Sequence, residues 1–139
     1  MIKSCIRPNN RTHSDKLLIT IPQAVFLGEL SFKEAVYLIC RCIPLGQVST
    51  YGTLAKYTGL PNRARQVGSA LRTLDESRSD PSDPTSVPWW RVVRSNGDIA
   101  LPLDQISAQL QIKLLNEEGV IVTDGRVSMR DYAWSSPSS

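Results

Sequence analysis

A four-residue connection, Gly59-Leu60-Pro61-Asn62, constrains the fold of this chain most, because each side of it carries a short helical pattern. Ser49 and Thr50 are favourable N-cap residues for the helix before the connection, and Gly59 is a typical residue for its end. We expect Asn62 to cap the helix that follows. A tight, glycine-containing connection between two short helices predicts a helix-turn-helix.

The second helix of this pair presents two different faces. Apolar residues at helical spacing predict a buried stripe, which consists of Ala64, Val67, Leu71 and Leu74. Arg65, Ser69 and Arg72 lie on another face at positions i, i+4 and i+7. A polar, basic face on the second helix is typical of a helix-turn-helix that enters a DNA groove. A small helical domain with solvated surface arginines would show the same pattern.

The distribution of charge also favours a polyanionic partner. Residues 1–74 hold ten Lys or Arg and three Asp or Glu, whereas residues 75–139 hold six and ten, although the net charge is only +3. Residues 35–74 contain no acidic residue. A long basic block without acids suits nucleic acid, and the alternative is a chance distribution over a solvated face.

A further helix precedes the pair. Ser31 and Glu34 form a capping box at its start, and Pro44 and Gly46 end it. Its core stripe consists of Phe32, Ala35, Val36, Ile39, Cys40 and Ile43. Residues 1–30 are expected to form an N-terminal extension that is partly disordered. Within it, RPNNRTHSDK indicates a loop or a disordered arm, and LLITIPQAVFLGEL is apolar enough to dock on the core, partly as a strand.

The second half of the chain predicts a loop, a helix and a hairpin. Residues 75–86 read as a flexible surface loop, and residues 95–98 as a turn. Asp104 is expected to cap a fourth helix that ends at Gly119, with Ile106, Leu110 and Leu114 facing inward. Asp124-Gly125 between two apolar segments indicates a β-hairpin. The chain is therefore expected to be mainly α with a short β-hairpin, as a winged helix-turn-helix domain over residues 31–134 with a tail at 135–139.

Composition argues against several other classes of protein. The three cysteines, Cys5, Cys40 and Cys42, are too few for a zinc site when His13 is the only histidine, so we expect free thiols, no metal and no cofactor. No apolar run approaches the about eighteen residues of a membrane span, and no secretory signal is evident. We expect no membrane partner and an intracellular location, in the nucleus of a eukaryote or otherwise in the cytoplasm.

The segment Val87-Pro88-Trp89-Trp90-Arg91-Val92-Val93 places two tryptophans side by side. Neighbouring residues of an extended segment point to opposite sides, so both indoles cannot pack into one core from a simple strand. Together with Ile43-Pro44-x-Gly46-x-Val48-Ser49-Thr50-Tyr51-Gly52-x-Leu54-Ala55 and Ala64-Arg65-Gln66-Val67-Gly68-x-Ala70-Leu71, this segment resembles the DNA-binding domain of O6-alkylguanine-DNA alkyltransferases. The chain is more similar still to the alkyltransferase-like proteins, from about Phe32 to Trp134.

The resemblance implies a protein without transferase activity. The transferases have Pro-Cys-His-Arg-Val in the third motif, and here Trp89 stands at the cysteine and Trp90 at the histidine. Alkyl transfer needs a thiolate supported by a base, and an indole supplies neither. We therefore expect no catalytic residue. Glu118 aligns with the acid of the transferase network and is expected to have a structural or helix-end role.

Alkyltransferase-like proteins bind alkylated guanine in duplex DNA and direct it to nucleotide excision repair proteins. The resemblance implies minor-groove docking by a monomer, with Tyr51 rotating the nucleotide out, Arg65 filling the vacated stack and Trp89 forming an apolar wall. The DNA-binding residues that it implies are Thr50, Tyr51, Arg63, Arg65, Gly68, Ser69, Arg72 and Arg94. The implied lesion pocket consists of Tyr51, Arg65, Trp89, Val92 and Ser95. Taken singly, Tyr51 could pack at a helix start, Arg65 could be solvated and Trp89 could belong to the core.

Two departures from the family pattern and two other functions stay open. Alkyltransferase-like proteins usually keep the histidine where this chain has Trp90, which we expect to pack behind the pocket. A basic residue that can stack on the flipped base is replaced by Ala100-Leu101-Pro102, and Arg91 or Arg94 could compensate. The alternatives are a winged-helix regulator without lesion specificity and an enzyme with an unanticipated nucleophile.

Overall fold

The computed structural model describes residues 18–135. The helices are α1 (residues 18–26), α2 (Phe32–Arg41), α3 (Tyr51–Tyr57), α4 (Ala64–Arg72), α5 (Glu76–Ser79), α6 (Ile106–Glu117) and α7 (Met129–Tyr132). The strands are β1 (Ser49–Thr50), β2 (Val92–Val93), β3 (Val122–Thr123) and β4 (Arg126–Val127). The predicted N-terminal arm, with Cys5 and His13, and nearly all of the predicted tail lie outside the described residues. No helix in the described part of the chain is long and apolar enough to cross a membrane.

The predicted helix-turn-helix consists of α3 and α4. The Thr50 hydroxyl accepts a 3.1 Å hydrogen bond from the backbone N–H of Thr53 and so caps α3, as expected. The expectation that Asn62 caps α4 is wrong. Arg63 holds the N-cap position without a side-chain cap, because the Arg63 N–H bonds to the Leu60 carbonyl at 3.1 Å and closes a turn with Asn62 inside it.

Helices α1 to α4 enclose the larger of two apolar clusters. α2 begins at the expected Ser31 cap, whose hydroxyl accepts from the Glu34 N–H at 3.1 Å. The buried Tyr37 ties α2 to α4, since its hydroxyl donates to the Ala70 carbonyl at 2.8 Å. The residues predicted as partly strand at the start of the chain instead form α1, and Leu18 and Ile21 reach this core.

α6 covers the second cluster, but with a different face from the one predicted. The expectation that Ile106 and Leu110 face inward is wrong, since they are 87% and 40% exposed. Ala108, Gln111 and Leu115 are buried instead, and Leu114 is partly buried. Two side-chain hydrogen bonds of Gln111, described below, anchor this other face to the core. Gln105 takes the N-cap position predicted for Asp104.

Two small strand pairs complete the fold. β1 and β2 pair in parallel, with Ser49 opposite Val92, and so place the third motif beside the start of α3. β3 and β4 form the predicted hairpin, whose turn residues Asp124 and Gly125 have φ values of 53° and 75°. Both positive values suit the primed hairpin turn that Asp-Gly favours. The mainly helical fold with a short hairpin therefore agrees with the prediction.

Candidate nucleic-acid interface

The two tryptophans lie in a 3-10 turn, Trp89–Arg91, that leads into β2. An extended segment would have sent the indoles to opposite sides, but the turn sets their rings edge to face with centroids 5.9 Å apart. Trp89 is half-buried and contacts both apolar clusters, whereas Trp90 is 5% exposed. The two indoles therefore pack against each other, at the place where Trp89 contacts both apolar clusters.

Trp90 is held by a hydrogen bond to the end of α6. Its indole Nε1 donates to Oε2 of Glu118 at 2.8 Å, and the Arg91 guanidinium lies 5.5 Å from its ring centroid. The expectation that Trp90 packs inside the protein is confirmed. The indole N–H can only donate a hydrogen bond. Trp90 can therefore bind the Glu118 carboxylate but cannot accept a proton as a base.

Arg91 and Glu118 form an ion pair that the protein largely shields from solvent. Arg91 donates from Nε and Nη2 to the two Glu118 oxygens at 2.9 and 2.8 Å, and from Nη1 to the Ile43 carbonyl at 2.8 Å. Burial alone would raise the pKa of Glu118, but the hydrogen bonds from Arg91 and Trp90 outweigh it and lower that pKa. Arg91 is thus structural and does not compensate for the missing basic residue, and the expected structural role of Glu118 is confirmed.

A cavity of about 490 Å³ opens between α4 and the start of α6. Its lining residues are Tyr51, Gly68, Leu71, Arg72, Leu74, Ser79, Trp89, Ala100, Leu101, Gln105, Ser107, Leu110 and Gln111. Two residues predicted for the lesion pocket, Tyr51 and Trp89, are among them. Ala100 and Leu101, which stand where the resemblance implies a basic residue, also line this cavity.

Tyr51 stands at the first position of α3, beside α4. A Cβ at Gly68 would lie 3.9 Å from its ring, an ordinary contact, and 3.3 Å from Nη1 of Arg72, so the tight neighbour is the end of the Arg72 side chain. Burial raises the pKa of the Tyr51 phenol, and the Arg72 and Arg94 cations oppose part of that rise. The phenol therefore stays neutral, near two cations that a phosphate would meet.

Three of the predicted pocket residues do not line the cavity. Val92 is fully buried in β2, where it pairs with Ser49, so it does not line this cavity, and its assignment to the lesion pocket stays a prediction. Arg65 is exposed on α4, and Ser95 is exposed in the turn before Gly97. Neither Arg65 nor Ser95 is part of the cavity lining.

The other residues predicted to bind DNA lie in different settings. Arg63, Ser69, Arg72 and Arg94 are exposed. The Thr50 hydroxyl is engaged with Thr53 as the cap of α3, so it supports Tyr51 from behind. Arg94 also lines a second cavity, of about 630 Å³, beside the hairpin turn. α4 and the turn after β2 thus both present exposed arginines, of which Arg72 lines the cavity beside α4.

Gln111 is the site residue that the sequence patterns missed. It is 3% exposed, lines the cavity and donates from Nε2 to the carbonyls of Trp90 and Val92, each at 3.1 Å. A polar residue in the middle of the apolar run of α6 was the available signal. The predicted stripe of Ile106, Leu110 and Leu114 did not include Gln111, which lies to one side of that stripe on the helix.

Cys40 lies behind the third motif, within the stripe predicted for α2. Its thiol is fully buried and donates to the Pro88 carbonyl at 3.4 Å. Burial raises the pKa of the Cys40 thiol far above its usual range. No group of three or more His, Cys, Asp or Glu residues that could hold a metal occurs among residues 18–135.

Comparison with known proteins identifies the family. Residues 31–120 match the family model described as 6-O-methylguanine DNA methyltransferase, DNA binding domain. A DNA base-flipping protein of Escherichia coli is 39% identical over 108 residues, which cover 77% of each chain. Alkyltransferase-like protein 1 of Schizosaccharomyces pombe is 38% identical over 109 residues, which cover 74% of this chain and 94% of that protein.

A solved structure agrees with these matches. The crystal structure of S. pombe Atl1 in complex with damaged DNA containing O6-carboxymethylguanine is similar with a TM-score of 0.64 at 37% identity, over 75% of this chain and 94% of that chain. The match joins the fold to the sequence motifs over the same part of the chain. The protein therefore belongs to the family of the 6-O-methylguanine DNA methyltransferase DNA-binding domain and, within it, to the alkyltransferase-like proteins.

Proposed function

We propose that this protein is a non-enzymatic sensor that binds O6-alkylguanine in duplex DNA by flipping the nucleotide. The observation that carries the proposal is the cavity beside α4, where Tyr51 and Trp89 share one lining. Its relatives include a DNA base-flipping protein and a protein solved with damaged DNA, which supports the same function here.

Docking follows from the shape and charge of α4. Exposed Arg63 and Arg72 supply cations to neighbouring phosphates, and such contacts contribute most of the sequence-independent affinity for DNA. Gly68 and Ser69 are small, so the helix backbone can approach the minor groove closely. Arg94 extends the cationic surface to the turn after β2.

Extruding a nucleotide from the duplex costs a few kcal/mol, which the protein must offset. In the proposed mechanism Tyr51 presses on the backbone phosphate, near the charges of Arg72 and Arg94. Arg65 enters the vacated stack, where a planar guanidinium can stack on bases and still donate hydrogen bonds. Its position on the surface of α4, outside the cavity, suits a residue that enters DNA while the base enters the protein.

Trp89 provides the surface against which the alkyl group packs. Its large apolar face lies in the cavity lining, and Trp90 supports it from behind in an edge-to-face contact. Glu118 and Arg91 hold Trp90 in place. An alkyl group on O6 adds apolar area that this wall removes from water, which favours the lesion over guanine.

The side chains around the cavity give the reason why we expect no transfer of the alkyl group to the protein. The position of the alkyl-accepting cysteine is Trp89, and indole is not a nucleophile. Cys40 is the cysteine behind the motif, but it is fully buried, its thiol is engaged with the Pro88 carbonyl, and its raised pKa keeps it protonated. An alkyl group is therefore bound and retained on the base.

A protein that binds a lesion and leaves it unchanged needs a second system to remove it. We propose that nucleotide excision repair proteins take over the bound lesion. The experiment is an excision assay on an O6-methylguanine duplex with and without the protein. Added protein is expected to increase dual incision around the lesion, and unchanged incision would contradict this step.

The central test is a binding titration with two duplexes that differ only in guanine or O6-methylguanine, at one salt concentration. We expect tighter binding of the lesion duplex and no radioactive methyl group on the protein afterwards. Equal binding of both duplexes together with a strong sequence preference would instead indicate a winged-helix regulator. Covalent label on the protein would contradict the non-enzymatic proposal.

A substitution at Trp89 tests whether the preference for the lesion duplex arises in the cavity. Trp89→Ala should reduce lesion affinity by about 1–3 kcal/mol, the scale of a base–aromatic contact, and leave binding to the undamaged duplex nearly unchanged. Leu45→Ala, a change at an exposed residue away from this cavity, is the matched control. Equal effects of the two substitutions would argue against Trp89 as the wall of the lesion pocket.

A further inference from the structure

A further cavity, which we call the α2 groove, adjoins the tryptophan pair. Its volume is about 710 Å³, and its lining comes from the end of α2, from residues 81–88 and from the network around Glu118. Trp90 lines this groove and Trp89 lines the candidate lesion cavity, with their rings edge to face. Among the described residues, none lines both the groove and the lesion cavity. A molecule can therefore occupy the α2 groove while a base occupies the lesion cavity.

Much of the lining of the α2 groove is apolar. The apolar residues in it are Leu38, Leu45, Pro81, Pro84, Pro88 and Trp90. Leu45 follows the end of α2 and is 69% exposed. A single exposed leucine is ordinary, but exposed apolar area that is grouped in one concave surface is typical of a place where a partner binds.

The segment that lines one part of the groove is held in place at both of its ends. Arg78, just before it, donates to the two carboxylate oxygens of Glu34 at 3.0 and 3.1 Å, and its guanidinium lies 4.6 Å from the Tyr37 ring centroid. The Arg78 carbonyl accepts from the N–H of Val87, at the other end, at 2.8 Å. Because this part of the groove is already formed, a partner does not lose affinity by ordering it.

The charge of the same segment indicates which kind of molecule fits the groove. Residues 75–86 hold four acidic residues and one arginine. Asp83 lines the groove, and hydrogen bonds from the N–H and hydroxyl of Thr85 lower the pKa of its carboxyl, so it is ionised at neutral pH. Such a surface repels phosphates and attracts cationic side chains. Arg41 lines the groove from the α2 side, so the basic part of a partner belongs beside Asp83.

We propose that the α2 groove is the docking site for a segment of a nucleotide excision repair protein that carries apolar and basic residues. The proposal rests on the proposed function and deepens it, because it names the surface to which the repair protein binds. An apolar side chain of the partner contacts Leu45 and Trp90, and a basic side chain lies beside Asp83. The repair protein and the lesion then bind on the two members of the tryptophan pair.

The test measures dual incision at O6-methylguanine by purified nucleotide excision repair proteins while the concentration of this protein is raised. Leu45→Ser removes exposed apolar area and should raise the concentration needed for half-maximal incision about tenfold, within the range for burying a leucine. Asp83→Asn removes a charge but keeps an oxygen that can accept from Thr85. It should raise that concentration about threefold to fivefold at about 50 mM salt and less at about 200 mM, because salt screens an exposed pair.

Two substitutions outside the groove are matched controls. Ile19→Ser removes an apolar side chain that is 70% exposed, and Glu29→Gln removes one exposed negative charge. Neither residue lines the groove, so both variants should support incision at the wild-type concentration. All four variants should bind the O6-methylguanine duplex with wild-type affinity, because none of the four positions lines the lesion cavity.

The outcomes distinguish the docking site from the function on which it rests. Wild-type protein that binds O6-methylguanine no more tightly than guanine contradicts the proposed function. Lesion preference without increased incision contradicts the repair step and the docking site but not lesion binding. Wild-type incision with Leu45→Ser and Asp83→Asn, or equal losses in the two controls, overturns the docking site alone. A wild-type dimer in sedimentation that Leu45→Ser dissociates would identify a second copy of this chain as the occupant and also overturn it.

Discussion

Glu118 brings three parts of the chain together through its carboxylate, which accepts hydrogen bonds from Trp90, Arg91 and the Gly46 N–H. The indole of Trp90 can only donate and cannot serve as a base. The network thus holds Trp90 in contact with Trp89, which lines the cavity.

Glu118→Gln tests this supporting role through stability. The variant leaves the largely shielded Arg91 cation without its counter-ion, so we expect a loss of about 3 kcal/mol at neutral pH, the scale for breaking a buried pair. The pKa of Glu118 is lowered on folding, so its stabilisation is present above the ordinary glutamate pKa of about 4.3 and is lost as pH falls through the lowered value.

Chemical denaturation at neutral and acidic pH measures both effects. Wild-type protein should lose more stability than Glu118→Gln on acidification, because the variant has already lost the carboxylate. Glu117→Gln, which changes an exposed neighbour, should retain wild-type stability and its pH profile. A profile of Glu118→Gln that matches wild type would mean that the ion pair contributes little.

Arg65→Ala tests the residue proposed to fill the vacated base stack. We expect lesion affinity to fall by about 1–3 kcal/mol, the scale for a stacking or bidentate contact. Fluorescence anisotropy with the O6-methylguanine duplex measures the change, and Arg41→Ala, at an exposed arginine that ends α2, is the control. If both variants lose the same affinity, Arg65 acts as a general cation and not as the filling residue.

At the scale of elements, local signals in the sequence were sufficient where the structure is local. The Ser31 cap, the Thr50 cap and the Asp124-Gly125 turn each depend on neighbours within a few residues, and all three occur as predicted. The capping box is only half formed, because the Glu34 carboxylate bonds to the distant Arg78. The pairing of β1 with β2 was missed, because two-residue strands far apart in the chain leave no periodic pattern.

The face of α6 and part of the site depend on distant partners. Three apolar residues at helical spacing predicted one buried face, but the carbonyls of Trp90 and Val92 attract the Gln111 amide and bring a different face inward. The motifs placed Tyr51 and Trp89 in one pocket, where the structure has them. They gave no sign that Val92 does not line this cavity, because its burial accompanies a strand pairing that they did not predict.

Gly97 joins two elements, the turn after β2 and the hairpin. Its φ is +94°, and a Cβ there would clash with the Val127 carbonyl oxygen. The Gly97 carbonyl accepts from the Val127 N–H at 2.9 Å, and the Gly125 carbonyl accepts from the Ile99 N–H at 2.9 Å, so the two elements meet backbone to backbone. Neither the turn nor the hairpin can move to make room for a Cβ at Gly97 without breaking these hydrogen bonds.

Gly97→Ala should therefore destabilise the protein by more than about 2 kcal/mol, as backbone strain adds to the clash. Gly119→Ala is the matched control, because Gly119 has a φ of +89° with nothing within 4 Å of its Cβ position, so only the backbone strain applies. Thermal denaturation compares the two variants. Equal destabilisation would show that the hairpin is not held rigidly to the turn.

At the scale of the whole molecule, positive and negative charges occupy different parts of the structure. The acid-free residues 35–74 contain the helix-turn-helix, whereas Asp75, Glu76, Asp80 and Asp83 are exposed on the following segment. Arg78 attaches that segment to α2 by two hydrogen bonds to Glu34, at 3.0 and 3.1 Å. Phosphates are thus attracted to α4 and repelled by the segment after it.

This separation predicts how salt affects binding. The logarithm of the association constant should fall linearly with the logarithm of salt concentration, with a slope of about −0.9 per phosphate contacted. Arg63→Ala removes one exposed cation at the start of α4 and should reduce the magnitude of that slope by about one unit. The ratio of lesion to undamaged affinity should stay unchanged, because Arg63 lies outside the cavity.

Titrations of both duplexes at three salt concentrations between about 50 and 200 mM, the range over which such affinities change strongly, measure slope and ratio together. Arg41→Ala, at the end of α2, should keep the wild-type slope. Equal slopes for wild type, Arg63→Ala and Arg41→Ala would mean that the DNA does not lie along α4. A changed lesion ratio in Arg63→Ala would mean that docking and base reading are not separate, because a residue outside the cavity would then influence which base is accepted.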